Sequence, residues 1–380
     1  MDKVFIGILA LLEICFVGVV LLDVVVWLRK KISHRQVIIW RNQKEWENAV
    51  CVCAQNWSKK MPTVPLKDEE RLIIIDILRK QYKHSALQGW QYAQLISGLK
   101  ANDRKIEPLT EESFSISEID DGYAIYHAWK AQLISDDTAL RLTEKYVSIV
   151  NKHIKGNGLI EYREGFGDVY IVDTIAFVCP ILIRYGVITG QSRYIYLAIK
   201  QIKNYYENAY IEKYGLYAHG YNSVTRTPCE SIGWGRGTGW YLLGILYCYQ
   251  ELHDGKDKKW IYDRMIEASE NIMKYQRIDG GWSTQLVSNW NYDSSATAIF
   301  ATFLFNVYSI IHDDNCLKSG ERALAKLMAS TRKDGAIEYC EGDCHGLGKY
   351  SINYGISPFA QGMVLDMIDA YTKINVNKDL

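Results

Sequence analysis

Six aspartates stand where the chain leaves a loop for an apolar run: Asp120 and Asp121 in EIDDGY, Asp168 and Asp173 in GFGDVYIVDTIAF, Asp279 in DGGW and Asp293 in NYDSSATAIF. Carboxyls at loop or helix ends around a pocket are what acid–base chemistry on a sugar requires. Asp173 stands apart because YIVDTIAFVCPILI is otherwise apolar. A carboxyl set among such neighbours holds its proton to higher pH, as a donor at neutral pH must. The same position also suits an N-cap ahead of Thr174, and Asp293 before SSATAIFATFLF reads first as a cap. His219 in YAHGYN lies between Tyr217 and Tyr221, in a loop where it can bond or bind. In GWGRGTGW (233–240) one cation, Arg236, is set between Trp234 and Trp240. Cys340, Cys344 and His345 lack a second ligand pair at finger spacing, so no metal is expected. No cofactor is expected either.

These residues need a scaffold that gathers distant loops. Amphipathic segments recur at Glu69–Gln81, Gly122–Leu133, Asp137–Lys152 and Tyr241–Leu252, and no run alternates with the strand period. Between them one kind of loop returns: GNGLIEY, KYGLYAHGY, DGGWSTQ and DGAIEYC. The core glycines Gly158, Gly215, Gly281 and Gly335 are spaced by 57, 66 and 54 residues. Such a period holds two helices of about 15 residues with their connections. Five to six hairpins of this kind, each carrying its loop at the same end, close into an all-α (α/α)6 toroid with the loops on one face. An open solenoid of helix pairs is the alternative. The 27 tyrosines and 11 tryptophans suit a pit that stacks on the apolar face of a sugar. QRIDGGW (276–282) also matches the Gln…Gly…Trp element of terpenoid cyclases. It occurs once, however, and no DxDD or other aspartate-rich diphosphate motif accompanies it.

The N-terminus follows other rules. Val4 to Leu28 is apolar except for Glu13 and Asp23, long enough to span a bilayer with some tilt. Each acid costs roughly 2.5–3.5 kcal/mol near the centre, which the apolar majority outweighs. RKKISHR follows the run, so the positive-inside rule places the following domain in the cytoplasm. Nine cysteines without a framework fit a reducing compartment. Net charge is zero, with 44 basic and 44 acidic residues, which gives no field for nucleic acid. The expected organisation is a membrane anchor over 1–30, a juxtamembrane linker over 31–66 and a toroidal catalytic domain over 67–380.

The order of motifs resembles glycoside hydrolase families 88 and 105, the unsaturated glucuronyl and rhamnogalacturonyl hydrolases. It runs through QGWQYAQLISGL (88–99), Asp173 to Leu182, AHGY (218–221), WGRGTGW (234–240), DGGW (279–282), DSSATA (293–298) and GLGKYS…SPFAQG (346–362). The resemblance spans about residues 70–375 and implies the six-hairpin toroid. It also implies an acidic oligosaccharide substrate whose terminal unsaturated uronic acid is protonated at C4=C5 and hydrated at C5. The resulting hemiketal opens and the glycosidic bond falls apart. By motif position Asp173 is the acid, His219 touches substrate, Arg236 pairs with a carboxylate, and Trp234, Trp240, Trp90 and Trp282 supply walls. The families carry a second aspartate before the helix of DDGYAIYHAW. Local alignment puts Ser117 or Glu118 there, and Asp121, close behind, is the expected second carboxyl. The tail differs from the families' pattern, and a cytoplasm-facing anchor suits a glycan handled at the membrane during capsule or exopolysaccharide production. There, another toroid enzyme or a glycan-binding subunit is the alternative.

Overall fold

A computed structural model describes residues 3–33, 36–65, 82–84, 89–288, 290–344 and 346–378. Within them, inner and outer helices differ in which residues they bury. The outer helix α5 (Asp136–His153) is capped by Ser135, whose side chain accepts from Thr138 N at 3.2 Å, and it carries Asp136 and Asp137 in its first turn. It buries one stripe, including Leu142, Tyr146 and Val150, at helical spacing. Inner helices are buried all round, as α9 (Gly235–Glu251) is from Gly235 to Cys248.

The inner helices are α3 (Trp90–Ala101), α4 (Asp121–Lys130), the broken pair α6 (Asp173–Phe177) and α7 (Cys179–Thr189), α9, α11 (Ser294–Ile311) and α13 (Pro358–Lys378). Each packs on the next, and α13 returns onto α3, so the helices form a closed ring rather than a solenoid. Outside it, α5 lies against α4, α8 (Ser192–Ala209) against α7, α10 (Lys256–Met273) against α9, and α12 (Asp314–Met328) against α11. The helix expected at Glu69–Gln81 falls outside the described residues, in the stretch of sequence between the antiparallel pair β1 (Thr63–Pro65) and β2 (Tyr82–His84).

Two expectations change here. The stretch 31–66 is not all linker, because it contains α2 (Gln43–Lys59). This helix packs on α3 and α13 and buries Trp46 and Val50 completely. The helix expected from Tyr241 begins six residues earlier, so GRGTGW forms its first turns rather than a feeding loop. The N-terminal helix α1 (Lys3–Ser33) is exposed along its apolar run, with a mean hydropathy of 2.8 over Lys3–Leu22. The other long apolar helix, α11, is core.

The recurring loops join outer helices to inner ones, and most are miniature antiparallel turns. Ile154 bridges Ile160 after α5 and Thr331 bridges Ile337 after α12, while β4 (Tyr210–Ile211) pairs with β5 (Leu216–Asn222) after α8. Gly335 shows what the turn demands. Its φ is +85°, and a Cβ would lie 2.1 Å from Ala49 O. The loop after α8 grows into a small sheet, with β3 (Val169–Ile171) and β6 (Thr227–Ile232) flanking β5. No alternating run announced it, because β5 is buried along nearly its whole length. This sheet and the loops before the inner helices stand at one end of the ring.

Candidate active site

At that end lies a pit of about 480 Å³, lined by Trp90, Asp120, Tyr162, Arg163, Phe166, Ile171, Asp173, Phe177, His219, Trp234, Arg236, Trp240, Asp343, Cys344, Gly346 and Leu347. Its floor is aromatic. Trp90 meets Phe177, Trp240 and Phe359 edge-on at 5.8, 5.6 and 5.0 Å, and Phe177 meets Trp240 at 4.9 Å. Such edge-to-face clusters fix ring positions.

The sheet sets the acid against the histidine. Ile171 pairs with Gly220 and Val172 N donates to His219 O at 3.0 Å, which brings the start of α6 beside β5. Asp173 opens α6, and no side-chain cap is formed there. Its Oδ2 lies 3.5 Å from His219 Nε2, and this buried oxygen has no hydrogen-bond partner among the described residues. His219 Nδ1 is 2.9 Å from Tyr350 Oη, and the imidazole rests on Trp234 with ring centroids 4.6 Å apart.

Asp120 and Asp121 are adjacent yet separated in role. Asp120 lines the pit and bonds Arg163 Nη2 through Oδ2 at 2.5 Å, while its buried Oδ1 has no partner among the described residues. Asp121, the expected second carboxyl, is turned back on its own chain. It accepts from Ser117 N and Glu118 N at 2.7 and 2.8 Å, and burial pushes its carboxyl above the usual range against these donors. At a helix start, successive residues point about 100° apart, so only one of the two can face the pit.

Arg236 is also placed differently from expectation. It lines the pit, but Nη1 and Nη2 donate to Glu341 O and Gly342 O at 2.8 and 2.6 Å, and Glu341 Oε2 lies 3.7 Å away. Burial works against its charge, but the carboxylates of Glu341 and Asp293 reverse that effect and hold it protonated. Trp234 donates to the same Glu341 Oε2 at 2.8 Å, and the guanidinium sits 5.2 Å over its ring. The glycines allow this: a Cβ on Gly237 would lie 2.4 Å from Trp234 Cε3. Thus GWGRGTGW grips Glu341 and Gly342, which lead into the pit wall at Asp343.

Trp282 does not reach the pit. It is fully buried, donates to Ile272 O at 2.8 Å and packs on Phe300. Asp293 is the cap its sequence suggested, accepting from Ser295 N and Ala296 N at 2.9 and 3.2 Å. Its Oδ1 also accepts from Glu341 N at 3.1 Å. Cys344 Sγ donates to Gly346 O, and His345 lies outside the described residues. Among the described residues no three His, Cys, Asp or Glu side chains form a metal cluster. Sequence reasoning missed Arg163, Glu341 and Tyr350. The loop LIEYREGFGD and the closing CEGDCHGLGKYS carried them, without a spacing that marks a partner.

A sequence model of Glycosyl Hydrolase Family 88 matches residues 91–371, and the chain belongs to this family. It is therefore a glycoside hydrolase with a family 88/105 fold. No curated protein matches it by sequence. Among solved structures it resembles a possible member of the GH105 family from Klebsiella pneumoniae, with a TM-score of 0.71, 15% identity, and coverage of 89% of this chain and 95% of that one. It also resembles an unsaturated glucuronyl hydrolase responsible for the degradation of glycosaminoglycan, from Bacillus sp. GL1. There the TM-score is 0.62, identity 15%, and coverage 86% and 96%. A polysaccharide lyase is similar too, with a TM-score of 0.62, 15% identity, and coverage of 88% and 98%. At these identities the likeness speaks for the fold.

Proposed function

We propose that the pit takes the unsaturated uronic acid at the end of an oligosaccharide, and that Asp173 delivers a proton to C4 of its C4=C5 double bond. The ring oxygen supports the positive charge that develops at C5, and water adds there. The water's second proton passes to a pit carboxylate, for which Asp120 is positioned. The C5 hemiketal then opens to a ketone, and the exposed C1 hemiacetal releases the rest of the chain. His219 steadies Asp173 and contacts the sugar, while Trp90 and Trp240 shape the floor against its apolar face.

The observation that carries this reading is the pair of carboxyls, Asp173 beside His219 and Asp120 beside Arg163, that line one aromatic-floored pit. The uronate is drawn by Arg163, the more exposed of the two cations in the wall. Arg236 acts mainly by holding Glu341 and Gly342. This assignment replaces the direct carboxylate pairing expected for it.

The membrane reading rests on α1 and its basic flank: a single pass, with the toroid on the cytoplasmic side and a substrate at the bilayer surface. The experiment for the activity uses the absorbance of unsaturated disaccharides near the ultraviolet edge. The purified full-length protein bleaches it and releases both sugars. Persistence of that absorbance, together with binding of an intact acidic polymer, would favour a glycan-binding or lyase-like role.

A further inference from the structure

Outside α1, the exposed large apolar side chains among the described residues include Val52, Ile188, Tyr196 and Val376 on helices α2, α7, α8 and α13, but the larger group lies elsewhere. Ile39, Val224, Ile278, Val287, Trp290 and Ile352 all belong to the N-terminal strap or to loops at the pit end of the ring. Val224 tips the β5–β6 hairpin. Ile278, Val287 and Trp290 belong to the loop before α11, whose Gln285 bridges Trp234 of the pit wall. Ile352 follows Tyr350. Trp290 is 65% exposed and Ile278 wholly so. Its backbone nonetheless holds Trp290 in place, since Trp290 O accepts from Arg277 Nη1 at 2.8 Å and Ser283 Oγ at 3.1 Å.

The chain also arrives from α1 at this end. Val37 bridges Arg332, Ile38 N donates to Thr331 O at 3.3 Å, and Lys333 N donates to Gln36 O at 2.8 Å. Trp40 and Trp46 add side-chain bonds to Thr331 at 3.3 and 2.8 Å. Gln36 lies three positions after Ser33, the end of α1, a reach of about 10 Å. From Leu28, the last residue of the apolar run, Ser33 is about 8 Å further along the helix. The loop after α12, to which the strap is pinned, is therefore tethered within about 20 Å of the hydrocarbon edge.

We propose that the pit-bearing face docks on the bilayer surface, with Trp290, Ile278, Val224 and Ile352 entering the headgroup zone, so that the site works on glycan held at the membrane. Tryptophan and isoleucine set on a rigid rim are the side chains that this zone accepts. The proposal rests on α1 spanning the membrane.

The test uses the full chain in phosphatidylcholine–phosphatidylglycerol vesicles, with or without lipids brominated high on the acyl chain. Flotation reports the anchor. The fluorescence difference between wild type and W290F isolates Trp290, and it should fall at least twofold with brominated lipid. In a W290F background, I188W places a reporter at the opposite end of the ring, where α7 ends, and it should keep its emission. Co-flotation with unquenched Trp290, or equal quenching of I188W, overturns the docking while leaving the anchor standing. Failure to float overturns both. Neither outcome touches the disaccharide assay, so the catalytic reading is judged separately.

Discussion

Two regions inside the ring bury carboxyls, and they do so in opposite ways. At the pit, Asp173 and Asp120 face a cavity, and among the described residues one oxygen of each lacks a hydrogen-bond partner. Deeper in the ring, Asp366 of α13 is sealed. Gln94 Nε2 donates to its Oδ2 at 2.7 Å, and Tyr123 in turn donates to Gln94 Oε1. Burial pushes the Asp366 carboxyl up to about 7, against the opposing pull of Gln94, and burial brings Lys130 of α4 down to about 8. The same neighbourhood holds Glu251 paired with Arg184 at 2.9 Å, and Asp369 paired with Lys373. A strongly shifted carboxyl is therefore not by itself a mark of catalysis. A cavity that a substrate can enter distinguishes the pit carboxyls from the sealed cluster.

The comparison breaks most sharply at Asp173. Asp173→Asn should cut turnover by about a thousandfold, in the range a positioned proton donor supplies, while far-ultraviolet circular dichroism and the melting temperature stay near wild type. Asp366→Asn should leave turnover within about twofold. Equal losses in both variants would erase the distinction.

Asp366 instead answers to pH. Its folded pKa is raised above its unfolded value, so the stability it contributes is complete below about 4 and is lost as pH rises through 7. The difference is roughly 4 kcal/mol for a shift of about three units. Denaturant titrations between pH 4 and 7.5 should show this fall in the wild type and a flatter profile in Asp366→Asn. Lys130, lowered from its usual value to about 8, acts above that window. An unchanged slope in the variant would remove Asp366 from the account.

Arg236→Lys tests whether the pit wall is held or merely charged. A lysine cannot bond both Glu341 O and Gly342 O while facing the Glu341 carboxylate, so the expected stability loss is about 3 kcal/mol, accompanied by weaker binding. A variant that bound poorly but melted like wild type would return Arg236 to the role of direct uronate partner. The smallest effect is expected at Asp121→Asn. The amide oxygen can still accept from Ser117 N and Glu118 N, so turnover should stay within twofold and stability within about 1 kcal/mol. Asp120→Asn, one residue away, should lose at least tenfold in kcat.

The ring was legible because the Gly-aromatic loops repeat and because outer helices bury a single stripe, as α5 does at Leu142, Tyr146 and Val150. The motif order also led to the family. What stayed hidden was direction. Whether Asp120 or Asp121 faces the pit depends on where α4 begins, and DDGY alone does not fix that. Arg236 looked free because its partner, Glu341, is more than a hundred residues away in sequence. Trp282 carried a motif, but its ring is consumed by the core. The sheet of β3 to β6 was invisible because a strand buried along its length shows no alternation, yet it is this sheet that sets His219 against Asp173.

The most direct test of the central claim is to run the reaction on an unsaturated disaccharide in D2O and read the released sugar by NMR. Protonation of the double bond at the pit predicts one solvent deuteron at C4, a ketone at C5 and loss of the ultraviolet absorbance, all absent with Asp173→Asn. Release of a sugar that keeps its C4=C5 double bond and carries no deuterium at C4 would contradict it.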